Sequence, residues 1–247
     1  MFQEIKIDTL YIDEHLLVVN KPAGLRVIPD GYQKHLPDLH HLLMERFGKL
    51  WVVHRLDRET SGVNLFARDA HTHRFLNQQF QNRQIKKVYH LFAIGPPLTN
   101  TVEIKFPLRI NGDRAHRTVI DFQKGKSAST LVRVIQLLPK NILLIEAEPQ
   151  SGYTHQIRAH ISAAGYWLLN DPLYFPWNNP PSHKEARPHL PSHYREICQD
   201  LPVRRIALHS YKIEFFHPAL QRPLQVLAPY PEDFKMTLHR LKNESGI

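Results

Sequence analysis

The sequence predicts an α+β fold, a mixed and mostly antiparallel central sheet flanked by short helices. Short apolar runs of strand length dominate the 247 residues. The helix-spaced stretches interrupt them irregularly, so the regular alternation that builds a parallel, doubly wound sheet is missing. No internal repeat and no flexible linker breaks the chain, so one domain spanning residues 1–247 is expected.

Taken in order, His15-Leu16-Leu17-Val18-Val19-Asn20 reads as a buried strand, and Lys21-Pro22-Ala23-Gly24 as the turn that ends it. Residues 37–47 place Leu39, Leu42, Leu43 and Phe47 on one helical face, with Gly48 as the stop. Val52 and Val53 close a second strand, and the run from Gly62 to Ala67 forms a third. Residues 70–83 repeat helical spacing through Phe75, Leu76, Gln79 and Phe80. Strands follow at 87–95, 130–138, 142–148, 207–216 and 224–228. Thr154 is placed to cap a helix running to Gly165, with Ile157, Ile161 and Ala164 at helical spacing. The last helix is expected to start at Pro231, with Phe234, Leu238 and Leu241 as its apolar stripe. Residues 176–204 hold six prolines and read as a long surface loop inserted into the domain.

Net charge of +9 and a pI near 9.7 favour a polyanionic partner, RNA or DNA first. Residues 1–123 carry net +4 (17 Lys/Arg against 13 Asp/Glu) and residues 124–247 net +5 (15 against 10), so the charge is spread through the fold. One cysteine, Cys198, excludes an intramolecular disulfide, argues against thiolate zinc sites and fits a reducing, cytoplasmic setting. No apolar run approaches the roughly 18 residues of a membrane span, and the N-terminus lacks a signal-peptide pattern.

Asp57 lies in a gap between two strands, with Arg55 and Arg58 on either side. A serine-protease-like triad of His54, Asp57 and Ser61 is disfavoured, because three neighbours on one short segment rarely converge and no nucleophile elbow accompanies them. The pairs His40/His41, His71/His73 and His155/His160 match no metal-binding spacing, so no metal is expected. Lys124-Gly125-Lys126-Ser127 lacks the upstream glycine of a phosphate loop and reads as a turn. Arg158 falls in the first turn of a helix, where the dipole favours anions, so it needs a carboxylate or phosphate partner; Asp57 is the candidate carboxylate. Tyr89, beside an ionised aspartate and a positive groove, suits stacking on a flipped base.

Together these residues resemble a known family. His54-Arg55-Leu56-Asp57-Arg58-Glu59-Thr60-Ser61-Gly62 resembles the His-Arg-Leu-Asp-x-x-Thr-Ser-Gly motif of the RluA-like pseudouridine synthases. Leu17 to Gly24 resembles the family's opening strand and turn, Lys87-x-Tyr89 its tyrosine motif, and Gly152 to His160 its arginine motif. Asp171-Pro172-Leu173-Tyr174 and Leu208-His209…His217-Pro218 match its C-terminal landmarks. The resemblance implies a cofactor-free isomerase converting uridines in ribosomal or transfer RNA to pseudouridine. It implies Asp57 as the catalytic carboxylate, Tyr89 against the target base and Arg158 paired with Asp57. Ile157 packs in the pocket, Arg55 contacts phosphate or fills the gap left by the flipped base, and His54, Thr154 and His155 join the RNA-binding set. Tyr153 stands where the family often has arginine, and Asn170 where it often has glycine.

The chain is expected to act as a monomer, with no membrane partner and no separate N-terminal RNA-binding module. Site selection then rests on loops such as 105–117 (Lys105, Arg109, Arg114, Arg117) and 176–204. A non-catalytic RNA-binding or RNA-chaperone protein on the same fold is the alternative reading, and an N-glycosidase a weaker third.

Overall fold

The computed structural model describes residues 5–29, 36–96, 101–175 and 194–244. In chain order the elements begin β1 (Asp8–Ile12), β2 (Leu16–Lys21), α1 (Leu39–Phe47), β3 (Trp51–Val52), β4 (Ser61–Ala67), α2 (Ala70–Gln81) and β5 (Lys86–Ile94). They continue β6 (Val102–Ile104), β7 (Leu108–Arg109), β8 (Val119–Ile120), β9 (Thr130–Leu138), β10 (Ile142–Pro149), α3 (Gln156–Ala163) and β11 (Trp167–Leu168). Helix α4 (Tyr194–Asp200), β12 (Leu208–Phe216), β13 (Pro223–Leu227) and α5 (Glu232–Glu244) complete them. The chain divides into two compact units, Met1–Lys87 with His209–Pro231, and Val88–Leu208 with Glu232–Ile247.

In the first unit β2 pairs antiparallel with both β1 and β4. Strand β12 runs parallel to β4, in register Ser61↔His209, which makes the sheet mixed as expected. Strand β13 lies antiparallel on β12, and β3 on β4. Leu16, Leu17, Val18 and Val19 are all fully buried, so β2 is covered on both faces and reads in sequence as one continuous apolar run. Leu16, Val18, Val63 and Leu65 join Leu76 of α2 and Phe215 of β12 in one core. Gly62 sits at φ 111°, and a Cβ there would collide with the backbone of Ser210. The glycine of the Thr-Ser-Gly run is therefore what lets β12 approach β4.

The second unit stacks β10 between β5 and β9, all antiparallel, with β6 beyond β9 and β11 on β5. Ile157 and Ile161 of α3 pack on Leu91, Leu143 and Ile145, while Phe92, pointing the other way, stacks on Phe234 of α5 at 4.3 Å. Strands β7 and β8 form a separate hairpin.

Helix ends follow local chemistry. Asp38 caps α1 by accepting from the His41 amide, and Asp69 caps α2 by accepting from that of Thr72. Helix α3 departs from expectation. Thr154 does not cap it; His155, in the left-handed region, precedes the first turn without a side-chain cap. Gln156 instead folds its side-chain oxygen back to accept from the Tyr153 amide and the Ser151 hydroxyl. Gly165 does end the helix, with paired bonds from Gly165 to Ser162 and from Tyr166 to Ile161. In α5 the buried stripe is Phe234, Thr237 and Leu241. Thr237 takes Leu238's expected place because its hydroxyl donates to the Asp233 carbonyl and accepts from the Val203 amide.

Of the proline-rich stretch 176–204, residues 176–193 lie outside the described residues. The remainder corrects the loop expectation: Tyr194–Asp200 is a helix that buries Tyr194, Ile197 and Cys198, and Leu201 and Val203 are buried beyond it. Tyr194 stacks on Phe175 at 4.1 Å, so apolar burial outweighs the proline signal there. No helix among the described residues is long and apolar enough to cross a membrane.

Candidate active site

Asp57 opens a tight turn in the first unit, closed by the Thr60 amide on its carbonyl. Arg55 is exposed, Asp57 half-buried and Leu56 buried, so the apolar side chain anchors the segment while its charged neighbours stay near water. The segment is fastened to the Lys21–Gly24 turn. The Gly24 amide bonds the Arg58 carbonyl at 2.9 Å, and Arg58 Nε returns to the Gly24 carbonyl at 3.0 Å. At the junction lies Lys21, fully buried, whose ammonium donates to the carbonyls of Pro22 (2.9 Å), Leu25 (2.6 Å) and Arg58 (3.0 Å). A buried cation is tolerable only when its donors are met, and here backbone oxygens meet them. Sequence reasoning read Lys21 as part of a turn and missed this role.

His54 is fixed by a bond it accepts at Nε2 from the Leu65 amide (3.0 Å) and by stacking on Phe80 at 5.2 Å. Burial, helped by the Lys87 ammonium, lowers its pKa to about 3, so the ring is neutral with its proton on Nδ1. Burial likewise lowers Lys87 to about 8, and its ammonium lies 5.9 Å from the Phe80 ring. Ser61 is not arranged as a nucleophile with His54. Its hydroxyl bonds His209 Nδ1 at 2.9 Å, and His209, fully buried, donates through Nε2 to the Ala228 carbonyl.

In the second unit Tyr89 stands on β5 opposite Ala147 and packs, partly buried, against the cluster that contains Ile157. Thr154 is exposed, and its carbonyl accepts from the Thr118 hydroxyl at 2.6 Å. Arg158, 4% exposed, grips Asp171, 1% exposed, by two parallel bonds, Nε to Oδ2 at 2.7 Å and Nη2 to Oδ1 at 2.8 Å. The charge in the first turn of α3 thus has a carboxylate partner inside its own unit. Asp171 was legible only as a landmark, since nothing in the spacing of positions 158 and 171 implies contact. Arg158 also lies over the Tyr174 ring, 5.0 Å from its centroid. Three of the loop cations expected to face RNA are tied to carboxylates: Arg109 to Asp121 and Arg117 to Asp113, both at 2.6 Å, and Lys105 to Glu103 at 2.8 Å. Arg114 is exposed at the hairpin tip.

A family model described as RNA pseudouridylate synthase matches residues 15–163, the stretch that carries the Asp57 turn, Tyr89 and Arg158. The chain belongs to the RluA-like family of RNA pseudouridine synthases. It is 31% identical over 223 residues to the dual-specificity RNA pseudouridine synthase RluA of Pasteurella multocida, covering 90% of this chain and 93% of that one. It is 32% identical to the ribosomal large subunit pseudouridine synthase D of Zymomonas mobilis, covering 97% and 74%. The solved human RNA pseudouridylate synthase domain containing 4 superposes with a TM-score of 0.72 at 25% identity, over 95% of this chain and 93% of that one.

The two departures from the family pattern have local accounts in this synthase. Asn170 adopts φ 59°, a conformation that asparagine tolerates, and its amide donates to the Val203 carbonyl at 2.8 Å. Tyr153 packs beside Leu108, Ala128 and Ala159. Among the described residues, Asp38, His40 and His41 bring one potential metal-ligand atom each within 4.8 Å of one another. The carboxylate caps α1 and bonds His41 Nδ1 at 2.7 Å, and His40 Nε2 bonds the Leu50 carbonyl, so the cluster has a structural explanation.

Proposed function

We propose that this synthase isomerises specific uridines in ribosomal or transfer RNA, in the cytoplasm, with Asp57 as its catalytic carboxylate. The observation that carries the reading is the cross-tied turn. Buried Lys21 and the paired Gly24–Arg58 bonds fix the backbone around a half-buried carboxylate, the preorganisation that catalysis by position requires. The reaction breaks the bond from the anomeric carbon to nitrogen 1 of uracil and makes one to carbon 5. Atoms and electrons balance within the nucleoside, so the chemistry requires no cofactor. An ionised aspartate serves by attacking the ribose or by stabilising positive charge that develops on it, as carboxylates do in glycoside chemistry.

In this reading Tyr89 stacks on the extruded base, whose removal from the helix costs a few kcal/mol. Ile157 shields the base from water, and Arg158 belongs to the catalytic set. Arg55, exposed, contacts phosphate or fills the gap that the base leaves. Thr154, His155 and the 108–120 hairpin with Arg114 extend the RNA contact. His54, fixed by the Leu65 amide and the Phe80 ring, belongs to the same RNA-binding set.

Pseudouridine mapping of total RNA by carbodiimide-dependent reverse-transcription stops tests this in cells with the wild-type gene, no gene, or Asp57→Asn. Loss of the same discrete sites in both defective strains is expected, and would name the substrate. Sites that persist in Asp57→Asn cells would remove Asp57 from the mechanism. If no site depends on the gene although the purified protein still binds RNA, a non-catalytic RNA-binding role replaces the proposal.

A further inference from the structure

We infer that Asp171 and Tyr174 are positioning residues that hold Arg158 for the reaction and link its orientation to the seating of the 108–120 hairpin. The inference rests on the reading of Arg158 as part of the catalytic machinery.

A guanidinium that serves the reaction needs a countercharge that the reaction leaves unchanged. Asp171 supplies one. Its two oxygens engage Nε and Nη2 of Arg158 side-on, a bidentate grip that fixes the plane of the guanidinium. Asp171 is itself fixed, because Oδ1 also accepts from the amides of Leu173 (3.0 Å) and Tyr174 (3.2 Å). Four side-chain torsions of Arg158 are thus frozen before substrate arrives, a cost met in folding rather than in binding.

Tyr174 adds the link. Its ring covers Arg158, and its hydroxyl accepts from the Thr118 amide at 2.8 Å. The same oxygen lies 3.1 Å from the Thr118 carbonyl and 3.3 Å from His155 Nδ1. Burial pushes the phenol up to about 12, so it keeps its proton at working pH. Arg117 reinforces the seat by donating to the Leu173 carbonyl at 3.2 Å, and the hairpin side of the joint is stiffened where Asp113 accepts from Arg117. The short segment 171–174 therefore holds both the arginine of α3 and the base of a hairpin whose tip presents Arg114 and His116 to solvent.

The test uses the purified full-length chain and total RNA from cells lacking the gene, read at the sites that mapping identifies. Single-turnover rates and RNA affinities are measured for Arg158→Lys, Asp171→Asn, Tyr174→Phe and the double variant Asp171→Asn/Arg158→Lys, with melting temperatures alongside. Asp171→Asn is expected to slow the saturated rate by about 100-fold, the scale of an ångström-level misplacement, while RNA affinity stays within about twofold. Tyr174→Phe, which keeps the ring and loses only the hydroxyl bonds, should lower the rate at limiting RNA by about threefold to tenfold. The double variant should be no more than about twofold slower than Arg158→Lys alone, because Asp171 acts through Arg158. Additive losses, or a normal rate in Asp171→Asn, would overturn the inference. Should Asp171→Asn fail to fold, Tyr174→Phe decides, and a wild-type rate there would overturn it equally. A fully active Arg158→Lys would mark a different failure, that of the catalytic reading of Arg158.

Discussion

The Asp57 turn and the first turn of α3 carry candidate catalytic groups of the two units, and opposite means hold them. Around Asp57 the fastening is one buried ammonium ringed by neutral carbonyls, together with a neutral histidine. Around Arg158 it is a pair of full opposite charges, nearly excluded from water. An ammonium that donates to several backbone carbonyls gathers several stretches of chain at one point. A charge pair fixes one side chain with angular accuracy. Each device suits its task. The first holds a loop in place, and the second aims a side chain.

The largest effect is expected at Lys21. In Lys21→Met the carbonyls of Pro22, Leu25 and Arg58 lose their shared donor, and the turns at 21–24 and 57–60 lose their common fastening. A destabilisation of about 3 kcal/mol or more should appear in urea unfolding, with activity falling alongside. A loss below about 1 kcal/mol would show that the Gly24–Arg58 bonds suffice.

Acid should separate the regions further. Folding lowers the pKa of His54 from 6.5 to about 3, so the unfolded chain takes up a proton that the folded chain refuses. The stability that this group contributes is complete above pH 6.5 and declines as pH falls toward 3, by up to about 1.4 kcal/mol per pH unit. His54→Asn should flatten the stability-pH curve in that window relative to wild type. Parallel curves would mean that His54 is not held neutral.

Asp69 offers a smaller, lower window. Desolvation opposes its ionisation, but the hydroxyl and amide of Thr72 outweigh it and bring the carboxyl to about 2. Asp69→Ala should cost about 1 kcal/mol at neutral pH through the lost cap of α2. That deficit should shrink as pH falls below about 4 toward 2, where the wild-type carboxyl protonates too. Equal deficits at pH 7 and pH 2 would rule out the charged cap.

The smallest expected change has the opposite sign. Asn64 is fully buried on β4, and its amide nitrogen and oxygen both lack hydrogen-bond partners. Asn64→Leu removes that penalty at similar volume and should raise stability by about 1 kcal/mol, measured as a higher melting temperature. A lower one would mean that the site holds a water which the amide binds.

By itself the sequence determined whatever depends on near neighbours. Apolar runs located β2, β4, β9 and β10, and Gly48 and Gly165 marked helix ends where a residue free to adopt positive φ is needed. The ordered motifs placed Asp57, Tyr89 and Arg158 in one family before any contact was visible, because chemistry constrains residue type at each position. Only the tertiary structure decided which groups hold those residues. Lys21 reaches Arg58 across 37 positions, Gln79 bonds both backbone groups of Phe216 across 137, and His217 bonds Asp13 across 204. Burial creates the demand that every polar group find a partner, but it does not say how far along the chain that partner lies. Periodicity and capping are read within a few residues. The match between a buried charge and its acceptors exists only once distant segments have been brought together.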